Sequence, residues 1–165
     1  MTPPAAAYAS SDGAIALTVV KGAEQGLVVL VRRGHCVMIG RSPLAGESAR
    51  RATGMLTEHS LQRLHIEDHA LVERHLRDRA QAGARTHDAF ASFDRDVDVM
   101  LTDDAVSACH AMIFVDEAGA SLLDMGSTNG TFVNGAPTTS CDLGASDLVR
   151  VGETRLSVAA DGAAR

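Results

Sequence analysis

Lysine is almost absent from this chain: Lys21 is the single one, every other basic side chain is arginine, and the formal charge at pH 7 is −6. Nucleic-acid binding depends on neutralising many phosphates, so an acidic chain without a Lys/Arg cluster excludes DNA and RNA as expected partners. Cysteine is scarce too. Cys36, Cys109 and Cys141 are odd in number and show no CxxC spacing, which excludes a disulfide framework or zinc knuckle and fits reduced thiols in a cytoplasm. Long apolar runs are missing, the longest reaching only from about Leu27 to Val31, far short of the roughly 20 residues that cross a bilayer. The stretch from Met1 to Tyr8 lacks a basic segment followed by an apolar one, so the chain is expected to be soluble, unexported and cytoplasmic, with no membrane partner. There is no internal period, no P-loop, no dinucleotide fingerprint and no GxSxG elbow. Ser107 and His110 have no evident orienting acid or oxyanion motif, so neither an enzyme nor a cofactor is expected.

What is present divides the chain. Residues 42–95 hold eight Arg and eight Asp or Glu, so the remainder carries the whole charge of −6. Five of the seven histidines also fall in that stretch. On either side, short runs rich in Val, Ile, Leu or Thr are separated by turn residues: Ala14 to Val20, Leu27 to Arg32, Cys36 to Ile39, Asp98 to Leu101, His110 to Val115, Ser121 to Leu123, Thr131 to Val133, Asp147 to Val151 and Thr154 to Val158. Asn134-Gly135 suits a type I′ hairpin, and Asp116 to Gly119 can turn between two strands. Many short strands at this spacing form a sandwich or a barrel.

The interrupting segment carries helical signals. Leu61, Leu64, Leu71, Val72 and Leu76 lie on one stripe, with Thr57 placed to cap the start and Gly83 the end. One amphipathic helix is expected over roughly 58–81. A shorter helix is expected from Glu47 to Leu56, and another, capped by Thr86, would bear Phe90 and Phe93. The stripe must bury itself on the sandwich flank, on the insert's own helices or on a second chain. Asp68 and His75 fall near it, which implies a polar contact inside that packing. His65 and His69 share a helix face with Asp68 between them, but His59 and His75 point away, so no metal site is expected. The layout expected is a flexible tail at 1–13, one domain over 14–158 (sandwich from 14–41 and 96–158, helical insert 42–95) and a tail at 159–165.

Three polar elements punctuate the β regions: Gly40-Arg41-Ser42, then Val106-Ser107-Ala108-Cys109-His110, then the run from Asp124 to Gly135 containing Gly126-Ser127-Thr128-Asn129-Gly130. In this order they resemble the signature of the forkhead-associated (FHA) domain, a β-sandwich that recognises phosphothreonine in peptides. The resemblance covers about 14–41 and 96–158, and the last motif is close to letter-perfect. It implies a mainly β protein, an FHA-like antiparallel β-sandwich with an inserted α-helical segment. In the family a short loop and one strand separate the Arg from the SxxH element, whereas here the long insert intervenes. It begins directly after Arg41 and ends just before Asp98, so both its ends are expected near the binding loops.

Phosphothreonine carries roughly −1.5 to −2 charges and several acceptor oxygens, so it calls for a guanidinium fork and neutral donors. Arg41 can supply the fork, Ser107 a hydroxyl and Ala108 a backbone N–H, and the resemblance adds Thr128. Asn129 offers both a donor and an acceptor for the peptide backbone. The resemblance makes His110 a buried brace, with Gly40 and Gly130 allowing close backbone approach. Family members often carry Arg or Asn where Ala108 stands. Cys109, beside the phosphate position, is either a redox-sensitive thiol or a buried inert one. The expected function is a non-catalytic adaptor in serine/threonine-kinase signalling, its partner a phosphothreonine protein or peptide such as a kinase or its substrate. Sparse lysine with abundant Ala and Arg points to a GC-rich, bacterial genome. The alternative is a phosphate-independent scaffold that self-associates through the insert's stripe.

Overall fold

The runs Cys36–Ile39 and Ala111–Val115 are apolar at almost every position, which a sheet with one wet face does not produce. The computed structural model, which describes residues 13–42, 64–79 and 90–160, shows both runs buried on two faces. They belong to β3 (His35–Arg41) and β6 (Ala111–Asp116). The first sheet has the order β10 (Ser140–Leu143), β7 (Gly119–Asp124), β6, β3, β4 (Asp94–Arg95), with β5 (Val99–Leu101) also paired to β3. The second runs β2 (Val28–Val31), β1 (Ile15–Lys21), β12 (Thr154–Ala160), β11 (Leu148–Val151), β8 (Thr131–Val133), β9 (Ala136–Thr138). Val37, Ile39, Ile113 and Leu122 of the first sheet meet Leu17, Val19, Val149, Leu156 and Val158 of the second in one core. The fold is mainly β, two packed sheets and one helix.

Alternation sends the other set of side chains outward. Cys36, Met38, Met112, Phe114 and Leu123 form a second apolar cluster on the outer face of the first sheet, and α1 (Ile66–Arg79) covers it with Val72 and Leu76. Phe114 is its hub, with Phe93 and Phe90 edge-on at 5.4 and 6.2 Å between ring centroids. Leu64 and Leu71 pack at its margin. Of the three surfaces open to the helical stripe, it is the sandwich that takes it. Val72 and Leu76 are fully or nearly fully buried within the chain, so the reading of this stripe as a free interaction face is corrected. Leu61 lies outside the described residues.

The helix is shorter than the apolar spacing predicts. It begins at Ile66, and Asp68 accepts a hydrogen bond from the His65 backbone N–H at 2.8 Å, one half of a capping box. Local capping chemistry thus overrides the continuing stripe, leaving Leu64 before the helix. At the other end Arg79 is held between Asp116 at 3.0 Å and Asp142, tying the last turn to both β6 and β10. Phe90–Ser92 is a 3₁₀ turn, and Phe93 lies beyond its end. The helix expected at 47–56, the Thr57, Gly83 and Thr86 caps, His59 and most of both tails lie outside the described residues. β12 runs on to Ala160, paired with Ile15, so residues 159 and 160 are strand.

The insert's return differs from expectation. β4 and β5 pair with β3 in parallel, not antiparallel, at His35↔Asp94 and Ile39↔Val99. Parallel neighbours need a crossover, and α1 lies on that crossover. The chain leaves β3 at Arg41 and rejoins it beside His35, a strand length of ~20 Å away. Only the insert's start is near Arg41. β9 and β10 were not predicted because Pro137 and the polar Thr138-Thr139-Ser140 run suppress a strand pattern; both are edge strands, where such residues are tolerated. The Asn134-Gly135 hairpin has φ of 51° and 83°, the left-handed pair that a type I′ turn requires.

His75 supplies the polar contact beneath the helix: its Nε2 lies 3.1 Å from the Ser121 hydroxyl, and the residue is buried. Burial, and secondarily the Arg79 charge, lower its pKa to about 4. An unfolded chain protonates this imidazole near 6.5, so between those values the unfolded state binds the extra proton. The neutral side chain's contribution is full above pH ~6.5 and falls by about 3 kcal/mol as the pH drops to 4. Urea unfolding should therefore show a shallower loss of stability between pH 7 and 5 for His75→Asn than for the parent chain; parallel curves would count against it.

Candidate functional site

β3, β6 and β7 are neighbours, and the register Ile39↔Ala111↔Asp124 sets the end of β3, the start of β6 and the end of β7 side by side. The three polar elements leave the sheet from these points. Main-chain bonds then lock them together: Arg41 N–H donates to the Ser107 carbonyl at 2.9 Å, His110 N–H to the Ile39 carbonyl at 3.0 Å, and Met125 N–H to the His110 carbonyl at 2.9 Å. The Thr128 N–H donates to the Ser107 hydroxyl oxygen at 3.0 Å. Residues far apart in sequence form one loop platform.

His110 is completely buried. Its Nδ1 accepts from the Ser107 N–H at 3.0 Å, so the hydrogen sits on Nε2, which donates to the Gly130 carbonyl at 2.9 Å. Both nitrogens are used, leaving no free base. Gly40 is equally constrained: a Cβ there would stand 2.0 Å from the Ala108 carbonyl oxygen, closer than any side chain allows. Gly130 has φ of 83°, the left-handed conformation glycine tolerates best.

Around this platform the polar side chains differ in freedom. Arg41, Ala108, Thr128 and Asn129 are exposed and Ser107 is half-buried. Arg41 forms no ion pair among the described residues. Asn129 donates one Nδ2 hydrogen to the Ala105 carbonyl at 2.9 Å, which orients the amide and leaves its oxygen outward. The Cys109 thiol is partly buried against the outer cluster, and burial raises its pKa above the ordinary value. It is therefore a poor thiolate at neutral pH.

Two supporting carboxylates escaped sequence reasoning. Asp124 accepts from the Thr131 hydroxyl at 2.7 Å, the Ser127 hydroxyl at 2.5 Å and the Gly126 and Ser127 N–H groups at 3.1 Å, shaping the whole loop. Its signal was an Asp opening a Gly-Ser turn. Asp103 accepts from the N–H groups of Ala105 and Glu153 and the Thr154 hydroxyl, at 2.8–2.9 Å. Partial burial opposes its ionisation, but these donors prevail and hold its carboxyl below the usual range. No local pattern reveals this long-range tie. Among the described residues no cluster of three or more His, Cys, Asp or Glu could hold a metal, and His69 lies 5.5 Å from the Phe90 ring instead.

Residues 88–152 match the family model described as FHA domain. Over this stretch the chain is similar to an FHA domain. Its match reaches the loops at 107–110 and 124–135 but stops short of Gly40-Arg41, which the β3–β6 pairing brings beside them. Among curated relatives it is 39% identical over 59 residues to an oxoglutarate dehydrogenase inhibitor of Corynebacterium efficiens, covering 36% of this chain and 42% of that protein. It is also 39% identical over 61 residues to the glycogen accumulation regulator GarA of Mycobacterium tuberculosis, covering 37% and 38% of the two. The chain thus spans about four tenths of the length of these relatives. Among solved structures, the FHA domain of the CT664 protein from Chlamydia trachomatis superposes with a TM-score of 0.52 at 18% identity, over 88% of this chain and 96% of that one.

The packing of Gly40 on the Ser107–His110 loop generates a direct test. Gly40→Ala must push the Ala108 carbonyl away, at a cost of about 1–3 kcal/mol by the usual scale of overpacking. Denaturant unfolding should record that loss, and the amide resonances of Ser107 and Thr128 should move with it. Unchanged stability and spectra would contradict the close approach.

Proposed function

We propose that this FHA domain is a non-catalytic receptor for phosphothreonine in a protein or peptide, acting as an adaptor in serine/threonine-kinase signalling. In this reading the Arg41 guanidinium, the Ser107 hydroxyl, the Ala108 N–H and Thr128 hold the phosphate, and Asn129 holds the peptide backbone. The observation that carries it is the bond from Thr128 N–H to Ser107 Oγ. Because that oxygen already accepts a hydrogen bond, its own hydrogen is free to point outward at an anion. An exposed guanidinium with no ion pair among the described residues stands on the strand whose end is bonded to the same serine. One cation and several neutral donors at one rigid surface suit a dianionic phosphate monoester.

His110 and Gly40 support the cradle rather than contact the ligand, as does Gly130. The unit proposed to act is 14–158, with 42–95 as its insert, operating in the cytoplasm. The partner class is a phosphorylated protein, a kinase or one of its substrates; no helix among the described residues is long and apolar enough to cross a membrane. Self-association through the insert's stripe is disfavoured, because Val72 and Leu76 are already covered by the sheet.

A degenerate phosphothreonine peptide library, with unphosphorylated and phosphoserine libraries beside it, tests the proposal. Saturable binding should require phosphothreonine, and Arg41→Ala should weaken it by about 2–5 kcal/mol. Binding that ignores the phosphate or Arg41 would overturn the assignment.

A further inference from the structure

α1 packs across β3, β6 and β7, burying Ser121 and Leu123 beneath it, while the edge strand β10 beside it keeps Ser140 exposed. Between helix and edge strand runs a groove of about 840 Å³. Leu71 and Arg74 form its helical wall, Leu123 and Ser140 lie on the sheet side, and its lining reaches from Gly126 to Ala118. Gly126 belongs to the loop that carries Thr128, whereas Ala118 lies in the turn before β7, at the opposite end of the sheet. The groove therefore starts beside the loop that carries Thr128 and runs along β7, a strand of 6 residues, a path long enough for about six extended residues at ~3.3 Å each.

We propose that this groove is a second part of the same binding site and takes the extended segment flanking phosphothreonine in the partner protein. The inference rests on the phosphothreonine reading and extends it. Continuity with the cradle selects this occupant: Gly126 lines the groove two residues before Thr128, so the groove opens beside the point where the proposed phosphate is held. Leu71 and Leu123 give an apolar side chain a floor. Arg74 is exposed and without an ion pair among the described residues, and Ser140 stands on the outermost strand of its sheet, so polar contacts are available along both walls. Near the far end, Arg79 bridges helix and edge strand by pairing with Asp142, which fixes the width of the groove. The insert thus contributes to recognition by building a wall from Leu71 and Arg74, while Val72 and Leu76 stay buried on the sheet.

The test compares phosphothreonine libraries of two lengths on the full chain: one with about three residues on each side, the other extended by about six on either the N-terminal or the C-terminal side. One extended library should bind at least about tenfold more tightly than the short one, the effect of burying a single apolar side chain. Arg74→Glu and Ser140→Arg should remove that gain and leave short-library affinity unchanged. Equal affinity for short and long libraries would overturn the groove while leaving the cradle in place. A gain that survives both substitutions would overturn it as well, placing the extension elsewhere, on a second copy or another surface. Binding of neither library would instead sink the phosphothreonine reading, and the groove with it.

Discussion

The loop platform at one end of the sandwich hangs on one buried imidazole. His110, with no exposed surface, accepts the Ser107 N–H on one nitrogen and donates to the Gly130 carbonyl with the other. A buried polar group without partners is costly, so this pair of bonds is both a requirement of the ring and a constraint on the two loops. Ser107 is thereby held where it can accept the Thr128 N–H, and Gly130 where the chain can turn into β8. Gly40 closes the arrangement from the third side by letting the Ala108 carbonyl approach where no Cβ fits. The exposed polar groups are preorganised by groups that never reach the surface.

The helical insert changes what kind of sheet this is. An antiparallel sandwich normally wets its outer faces, yet here β3 and β6 are apolar on both sides because α1 lies across one of them. The crossover also explains the parallel pairing of β4 and β5, which a hairpin connection could not achieve. His75 with Ser121, and Arg79 with Asp116 and Asp142, set the helix's lateral position once the apolar contact is made. Burial gives the contact its energy, and these polar bonds give it register. That same position leaves a groove between the helix and the edge strand β10.

Charge has a similarly divided role. The chain is acidic overall, at −6, yet several of its carboxylates are consumed internally: Asp124 and Asp103 by backbone and hydroxyl donors, Asp98 by Arg95 at 3.0 Å, Asp116 by Arg79. Net charge is consequently a poor guide to the local field at Arg41.

Much of this was legible in the chain itself. Run length and turn residues located nine of the strands, because apolar alternation and the Asn134-Gly135 turn act locally. The order of the three polar elements marked the FHA resemblance, since loop chemistry at a phosphate requires particular residue types. Legibility failed where a property belonged to two distant segments. The edge strands β9 and β10 exist through pairing despite unfavourable residues, the helix start was decided by the Asp68 cap, and the insert's return to the far end of β3 follows from parallel pairing. The sequence alone determined nine of the strands and the chemistry of the candidate cradle, because these depend on spacing and residue type. Only the tertiary structure decided that the stripe is spent on the sheet, that Asp103 and Asp124 brace the loops and that a groove remains beside them. Burial and long-range hydrogen bonds exist only once distant segments meet.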